Sequence, residues 1–182
     1  MDNPYLVVDL EATCDDRGAV PRDESETIEI GAVLVDPRTL EPIDELQTFV
    51  RPVVHPRLTP FCTELTTITQ ADVDGAPLFR EAAVELAVFG RDAVFCSWGA
   101  YDRVQLGRDA HRCGIPHPLP GTHLNLKELF GRAAGSRKGR GSGHALRRVG
   151  LERTGTHHRG IDDARNIARL LPYALGRVSI PS

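Results

Sequence analysis

Three short apolar segments near the N-terminus constrain the fold of this chain most strongly. Residues 5–10 (YLVVDL) and 27–35 (TIEIGAVLV) are rich in β-branched side chains, and residues 46–50 (LQTFV) form a third apolar segment. Proline-containing turns follow the second and third segments. This pattern predicts strands joined by short loops, which favours an antiparallel meander at the start of the fold.

Helical and strand patterns alternate after the third segment. Helical turns or helices are predicted at residues 63–71, 78–89, 102–113, 127–130, 144–149 and about 162–175. Further strands are predicted at residues 93–97 and, more weakly, 123–126. The sequence shows no internal repeat and no linker between domains, so we expect a single mixed α/β domain.

Length and composition exclude several classes of protein. The chain has 182 residues, 41% hydrophobic and 26% charged, which is typical of a globular domain and not of a disordered chain. No segment approaches the roughly 18 apolar residues of a transmembrane helix, and the N-terminus lacks the basic region of a signal peptide. The four cysteines form no CxxC pair. We therefore expect a cytoplasmic protein with reduced thiols, no membrane association and no obligate protein partner.

Positive charge is concentrated in one part of an acidic chain. Residues 126–160 hold nine lysines and arginines against two acidic residues, although the whole chain has a formal net charge of −3. Within this segment, residues 131–143 (GRAAGSRKGRGSG) are rich in glycine and predict a flexible loop. The segment is either a surface that faces the phosphates of a nucleic acid or a solvated loop.

An acidic pair lies at the end of the first predicted strand. Asp9 and Glu11 are two residues apart, so their side chains project from the same face of that strand. A divalent cation would offset the repulsion between them, because hard cations prefer carboxylate oxygens; the alternative is an exposed acidic strand end. Asp102, in SWGAYD, opens a predicted helix and is either an ordinary N-cap or a further member of an acidic site.

Residues 157–171 (HHRGIDDARNIARLL) combine paired histidines and aspartates with a helical pattern. Positions four, seven and eight residues after Asp163 are apolar, whereas those three, four and seven residues after Asp162 are polar. Residues at these spacings share a helix face, so Asp163 is predicted to point inward and Asp162 to face solvent. A buried carboxylate needs a partner, and a metal centre with His158 nearby would supply one. The alternative is that both histidines are surface loop residues.

Three segments, VVDLEATC, SWGAYD and HHRGIDDARNIA, resemble in this order the exonuclease motifs of the DnaQ-like, DEDDh superfamily. FCTELTTIT (61–69) and LNLKELF (124–130) are similar to the subgroup of three-prime histone-mRNA exonucleases and bacterial KapD-type proteins. The resemblance implies a ribonuclease H-like α/β fold, a five-stranded mixed sheet flanked by helices. It implies a single exonuclease domain over residues 1–182, with a core of about 4–175 and a short C-terminal tail.

The resemblance also implies the chemistry and the residues of the site. The implied activity is that of a metal-dependent 3′–5′ exonuclease with two Mg²⁺ (or Mn²⁺) ions. Such an enzyme acts on single-stranded 3′ ends of RNA and releases nucleoside 5′-monophosphates. The four implied metal ligands are Asp9, Glu11, Asp102 and Asp163, and the implied general base is His158. The spacing of histidine and aspartate alone fits His157 with Asp162 equally well, but the wider register HRGIDDARNIA selects His158 and Asp163.

Two alternatives to an exoribonuclease stay open. The same site would serve a 3′–5′ exonuclease that acts on DNA or short oligonucleotides, because no feature of the sequence recognises a 2′-hydroxyl. The fold would also serve a regulatory nucleic-acid-binding module without turnover. The five intact catalytic positions favour an enzyme.

Candidate substrate contacts follow from the chemistry of nucleic acids. Bases stack on aromatic side chains, whereas phosphates bind basic groups. The candidates are Phe61, Trp98 and Tyr101 for the terminal base, the backbone of Ala12 and Thr13 for the terminal sugar, and Arg137, Lys138 and Arg140 for upstream phosphates. For Trp98, packing in the core is the alternative role.

Overall fold

A computed structural model describes residues 3–136 and 139–181 of the chain, and two predicted phosphate contacts, Arg137 and Lys138, lie outside these residues. Five strands form one sheet in the order β3–β2–β1–β4–β5. The strands are β1 (Tyr5–Ala12), β2 (Thr27–Val35), β3 (Pro42–Phe49), β4 (Val94–Ser97) and β5 (His123–Asn125).

The sheet is mixed, with β1 at its centre. β1, β2 and β3 are antiparallel neighbours, whereas β1, β4 and β5 are parallel neighbours. The first three strands therefore form the meander that the sequence predicts. Asp9 is paired with Gly31 and Glu11 with Glu29, so the acidic pair lies on the most enclosed strand of the sheet.

Helices cover both faces of the sheet. They are α1 (Pro60–Thr66), α2 (Gln70–Asp74), α3 (Phe79–Phe89), α4 (Tyr101–Cys113), α5 (Leu126–Ala133), α6 (Ser142–Arg148), α7 (Gly160–Ala168) and α8 (Leu171–Ala174). Alternate residues of β1 enter two different cores: Val7 packs with α5 to α8, while Leu6 and Val8 pack with α3 and α4. The predicted five-stranded mixed sheet flanked by helices is confirmed. No helix among the described residues is long and apolar enough to cross a membrane.

The structure differs from the sequence prediction at β3 and at the last helix. β3 begins at Pro42, before the predicted start, because it is an edge strand whose first four side chains, including that of Ile43, are exposed and form no continuous apolar pattern. The single helix predicted over residues 162–175 is wrong, since the structure has two helices, α7 and α8. Pro172 has no N–H to continue the α-helical pattern, and the N–H of Leu170 instead donates to the carbonyl of Ile167 at 2.9 Å.

Two glycines allow α7 to lie directly against the sheet. A Cβ atom at Gly31 would stand 2.1 Å from the carbonyl carbon of Gly160, and a Cβ atom at Gly160 would stand 3.0 Å from the carbonyl oxygen of Asp9. Only residues without a side chain permit this approach. The N-terminus of α7, which carries Asp163, is thereby held above the acidic end of β1.

Candidate active site

Three carboxylates from two distant parts of the chain converge at the C-terminal half of β1. Asp9, Glu11 and Asp163 each offer one oxygen, and these oxygens lie within 4.8 Å of one another. Asp163 is 7% exposed, as the phase of α7 predicts, and Glu11 is 8% exposed. This arrangement has the oxygen donors that a hard divalent cation requires.

Asp102 lies beside these three carboxylates, on α4. The backbone N–H of Leu10 donates to Asp102 Oδ1 at 3.1 Å, which ties this buried carboxylate to β1 between Asp9 and Glu11. The residue that caps α4 is Ala100, so the alternative role of Asp102 as the N-cap is wrong. The structure thus brings all four predicted acidic residues to one place.

The proximity and burial of these carboxylates disfavour their ionised forms. Burial raises the pKa of Asp9 well above its ordinary value, and the charges of Asp102, Glu11 and Glu29 raise it further. Burial, with Glu29 and Asp102, raises the pKa of Glu11 to about 8. Burial also raises the pKa of Asp102 to about 6. A cation held between the carboxylates would reverse this effect, and oxygen donors without cysteine fit Mg²⁺ or Mn²⁺.

Glu29 is a further buried carboxylate, which the sequence analysis missed. It is directly opposite Glu11 in the β1–β2 pair and is fully buried. Arg159 Nε donates to Glu29 Oε2 at 3.1 Å, and the N–H of Gly160 donates to the same oxygen at 2.9 Å. Like charges opposite each other destabilise a sheet, so this ion pair offsets the repulsion and anchors the start of α7 to β2. A glutamate within the apolar segment TIEIGAVLV was the signal available in the sequence.

Both histidines of the doublet lie at the acidic group. A ring nitrogen of His157, a ring nitrogen of His158 and an oxygen of Asp163 lie within 4.8 Å of one another, and the two ring centroids are 3.8 Å apart. His158 has φ of 59°, and its backbone N–H donates to Asp163 Oδ2 at 3.0 Å. Burial and the charge of Arg153 lower the pKa of His158. His157 is the more exposed of the two, and the choice of His158 as base stays a prediction.

A cleft of about 350 Å³ contains these groups. It is lined by all five predicted catalytic residues, by the histidine neighbour His157, and by three of the predicted substrate contacts, Ala12, Trp98 and Tyr101. Four further residues that the sequence analysis did not propose as site residues also line the cleft: Leu10, Cys14, Leu65 and Ser142. The volume is at the lower end of the range for small-molecule pockets, about 300–1,000 Å³.

Trp98 combines the two roles that the sequence left open. Its ring packs against Phe130, with centroids 5.7 Å apart, and its Nε1–H donates to the carbonyl of Arg140 at 2.9 Å. The same side chain also lines the cleft. Trp98 therefore connects the cleft to the basic segment, in which the side chain of Arg140 is exposed.

Two predicted substrate contacts, Phe61 and Thr13, are not among the residues that line the cleft. Phe61 is half-buried on α1, one turn before Leu65, which supplies the cleft-lining side chain of that helix. Thr13 is buried, its N–H donates to the carbonyl of Glu26 at 2.8 Å, and its hydroxyl oxygen accepts from the N–H of Glu26 at 2.9 Å. These bonds occupy the N–H and the hydroxyl oxygen of Thr13, and Ala12, which lines the cleft, is the better placed backbone contact.

Known exonucleases are similar in sequence to most of this chain. The exonuclease family model RNase_T matches residues 6–171. ERI1 exoribonuclease 3 of Mus musculus is 34% identical over 178 residues, which cover 92% of this chain and 52% of the relative. The 3′-5′ exoribonuclease 1 of Homo sapiens is 30% identical, with 90% of this chain and 50% of the relative covered. The chain thus spans about half the length of these curated relatives.

Solved structures share the fold over almost the whole chain. The nuclease domain of 3′hExo, described as a DEDDh family member bound to rAMP, superimposes with a TM-score of 0.88 at 26% identity, covering 99% of this chain and 96% of that one. A full-length 3′-exonuclease gives a TM-score of 0.87 at 27% identity, covering 96% and 82% of the two chains. The resemblance to DEDDh exonucleases is confirmed, and the chain belongs to the RNase_T family of exonucleases.

Proposed function

We propose that this chain is a metal-dependent 3′–5′ exonuclease that shortens single-stranded RNA from its 3′ end and releases nucleoside 5′-monophosphates. The observation that carries this proposal is the convergence of Asp9, Glu11 and Asp163 within 4.8 Å, inside a cleft that also contains Asp102 and His158. The names of the relatives, which are exoribonucleases, support RNA as the substrate.

The four carboxylates would hold two divalent ions, Mg²⁺ or Mn²⁺, because both ions prefer hard oxygen donors. When bound, such ions neutralise charge on the scissile phosphate and on the leaving oxygen, and they make water a better nucleophile. Asp9, Glu11 and Asp163 form the tightest donor group, and Asp102 adds charge from the adjacent α4. The raised pKa values of Asp9 and Glu11 support a cation as the partner that keeps both ionised.

His158 would accept the proton of the attacking water. Its pKa is lowered by burial and by Arg153, so its imidazole is neutral and able to accept a proton at pH 7. The backbone bond from His158 to Asp163 fixes the loop that carries the base to a metal ligand. Base and ligand are thereby positioned together, whereas His157 on the exposed side is assigned no proton transfer.

The remaining cleft would hold the terminal nucleotide. Tyr101, Trp98 and Leu65 offer apolar surface to a base, and the backbone of Ala12 borders the acidic group, where a terminal sugar would lie. Upstream phosphates would be bound by Arg140, whose carbonyl accepts a hydrogen bond from Trp98, and by Arg137 and Lys138. In this arrangement the base contacts are independent of base identity, because stacking does not distinguish the hydrogen-bonding edges of the bases.

We further propose that residues 1–182 act as one exonuclease domain in the cytoplasm.

The experiment that tests this function is digestion of 5′-labelled RNA and DNA of identical sequence. We expect single-nucleotide shortening of RNA with Mg²⁺ or Mn²⁺, full inhibition by EDTA, and loss of activity in Asp163→Asn. The matched control is Asp44→Asn, an exposed carboxylate on β3, which should be as active as the parent. Faster shortening of DNA than of RNA would overturn RNA as the substrate in favour of DNA. Tight binding of RNA without shortening would overturn the enzyme in favour of a regulatory nucleic-acid-binding module.

A further inference from the structure

Arg153 is a basic residue that pairs with one carboxylate of the acidic cleft. It lies on the segment between α6 and α7, and its guanidinium pairs with Asp163 Oδ1 and donates from Nη2 to Ser142 Oγ at 3.2 Å. The side chains of Arg153 and Asp163 are 21% and 9% exposed. This ion pair is therefore largely withdrawn from solvent, unlike an ordinary surface salt bridge.

Both carboxylate oxygens of Asp163 have partners in this arrangement. Arg153 is bonded to Oδ1, and the backbone N–H of His158 donates to Oδ2 at 3.0 Å. A cation shared by Asp9, Glu11 and Asp163 needs one of these oxygens. The His158 bond belongs to the loop backbone, whereas the guanidinium is on a long side chain that can move away. A metal ion therefore competes with Arg153 for Asp163.

The charges around the site also indicate that a metal ion and Arg153 compete for Asp163. Among the described residues, Arg159 is bonded to Glu29, whereas Arg153 is the arginine paired with one of the three converging carboxylates. Without a metal ion, the guanidinium of Arg153 offsets the negative charge of Asp163. With two divalent ions in place, their charge of +4 balances the −4 of four carboxylates, so the attraction that holds the guanidinium at Asp163 is lost.

We propose that Arg153 is a built-in counter-ion of the metal site, which pairs with Asp163 while no metal is bound and is displaced when a metal binds. This inference rests on the proposed function, because it takes the three carboxylates as metal ligands. Arg153 then stabilises the metal-free protein more than the metal-bound protein. By linkage, a group that stabilises only the metal-free state lowers the affinity for the metal.

Calorimetric titration of Mn²⁺ into the full chain, without nucleic acid, tests this role of Arg153. We expect Arg153→Met to bind Mn²⁺ on the order of tenfold more tightly than the parent, and Arg153→Lys to lie between them. We also expect Arg153→Met to lower the Tm of the metal-free protein and to leave the Tm at saturating Mn²⁺ unchanged. The control is Arg148→Met, because Arg148 is an exposed arginine on neighbouring α6, and its affinity should equal that of the parent.

A second variant guards against loss of folding in Arg153→Met. Ser142→Ala removes the other hydrogen bond of the guanidinium and keeps its charge, so a smaller gain of about twofold in Mn²⁺ affinity is expected. Unchanged or weaker Mn²⁺ binding in both variants, with normal binding by the parent, would overturn the role of Arg153 alone. Absence of Mn²⁺ binding by the parent chain would overturn the proposed metal site as well.

Discussion

Replacing Gly31 by alanine tests whether the close approach of α7 to the sheet builds the site. The new Cβ atom would stand 2.1 Å from the carbonyl carbon of Gly160, whereas ordinary contacts begin near 3.4 Å. The backbone at the start of α7 must therefore retreat by about 1.3 Å, because neither atom belongs to a flexible side chain. Asp163 lies on the first turn of α7, so it should move away from Asp9 and Glu11.

The expected effects of Gly31→Ala are large for a single methyl group. Overpacking of this kind costs about 1–3 kcal/mol of stability, and about 2–4 °C of Tm is lost per kcal/mol in a chain of this size. Displacement of catalytic groups by about 1 Å costs about 100-fold in rate. We therefore expect kcat on a short RNA to fall about 100-fold and Mn²⁺ binding to weaken, at a temperature where the variant is fully folded.

The matched control for Gly31→Ala is Gly75→Ala. A Cβ atom at Gly75 meets nothing within 4 Å, and its φ of −96° suits alanine. That variant should match the parent in Tm, kcat and Mn²⁺ affinity. If Gly31→Ala kept the kcat and the Mn²⁺ affinity of the parent, the close packing of α7 would not be what positions Asp163, and this reasoning would be refuted.

Three further predictions concern the base, the acidic group and the basic segment. His158→Ala should abolish most turnover while calorimetry still detects Mn²⁺ binding, and His157→Ala should do much less; an equal loss of kcat in both would contradict the assignment of the base. The pKa of Glu11 is about 8 in the folded chain against 4.5 for the free side chain, so its contribution to stability is present in full below pH 4.5 and is lost as the pH rises through about 8. The Tm of the metal-free protein should accordingly fall across that range and Mg²⁺ should reduce the fall, whereas a Tm that rises over the same range would refute this effect. Three basic side chains are to be neutralised together: Arg137, Lys138 and Arg140. This change should raise KM for long RNA more than for dinucleotides and weaken the salt dependence of KM, and an unchanged salt dependence would count against phosphate contacts by these residues.

The sequence predicted the elements whose signals are local. Apolar segments marked β1, β2 and β4 because these strands are mostly buried, and helix phase marked Asp163 as the inward carboxylate of α7. All four cysteines are free in the structure, with Cys62 and Cys96 buried and Cys14 and Cys113 half-buried. The start of the edge strand β3 was not predicted, because an exposed edge strand has little apolar signal. The break before α8 was not predicted either, because the apolar pattern continues past Pro172 although proline cannot donate the next helical hydrogen bond.

The parts of the site that the sequence could not supply are contacts between distant residues. Arg159 pairs with Glu29 across 130 positions of the chain, and α7 meets β2 through Gly31 and Gly160. Arg153 was visible only as one more charge in a basic segment, since Asp163 lies ten residues further along the chain, beyond an irregular loop. Such pairings depend on the tertiary fold and leave no periodic pattern in the sequence.

The most direct test of the metal site is a crystal structure of the protein grown with Mn²⁺, with anomalous scattering used to locate the ion. We expect anomalous density in the cleft, with the ion bound to one oxygen each from Asp9, Glu11 and Asp163, and with the guanidinium of Arg153 withdrawn from Asp163. Anomalous density elsewhere at saturating Mn²⁺, with these three carboxylates bound to no ion, would contradict the proposed metal site.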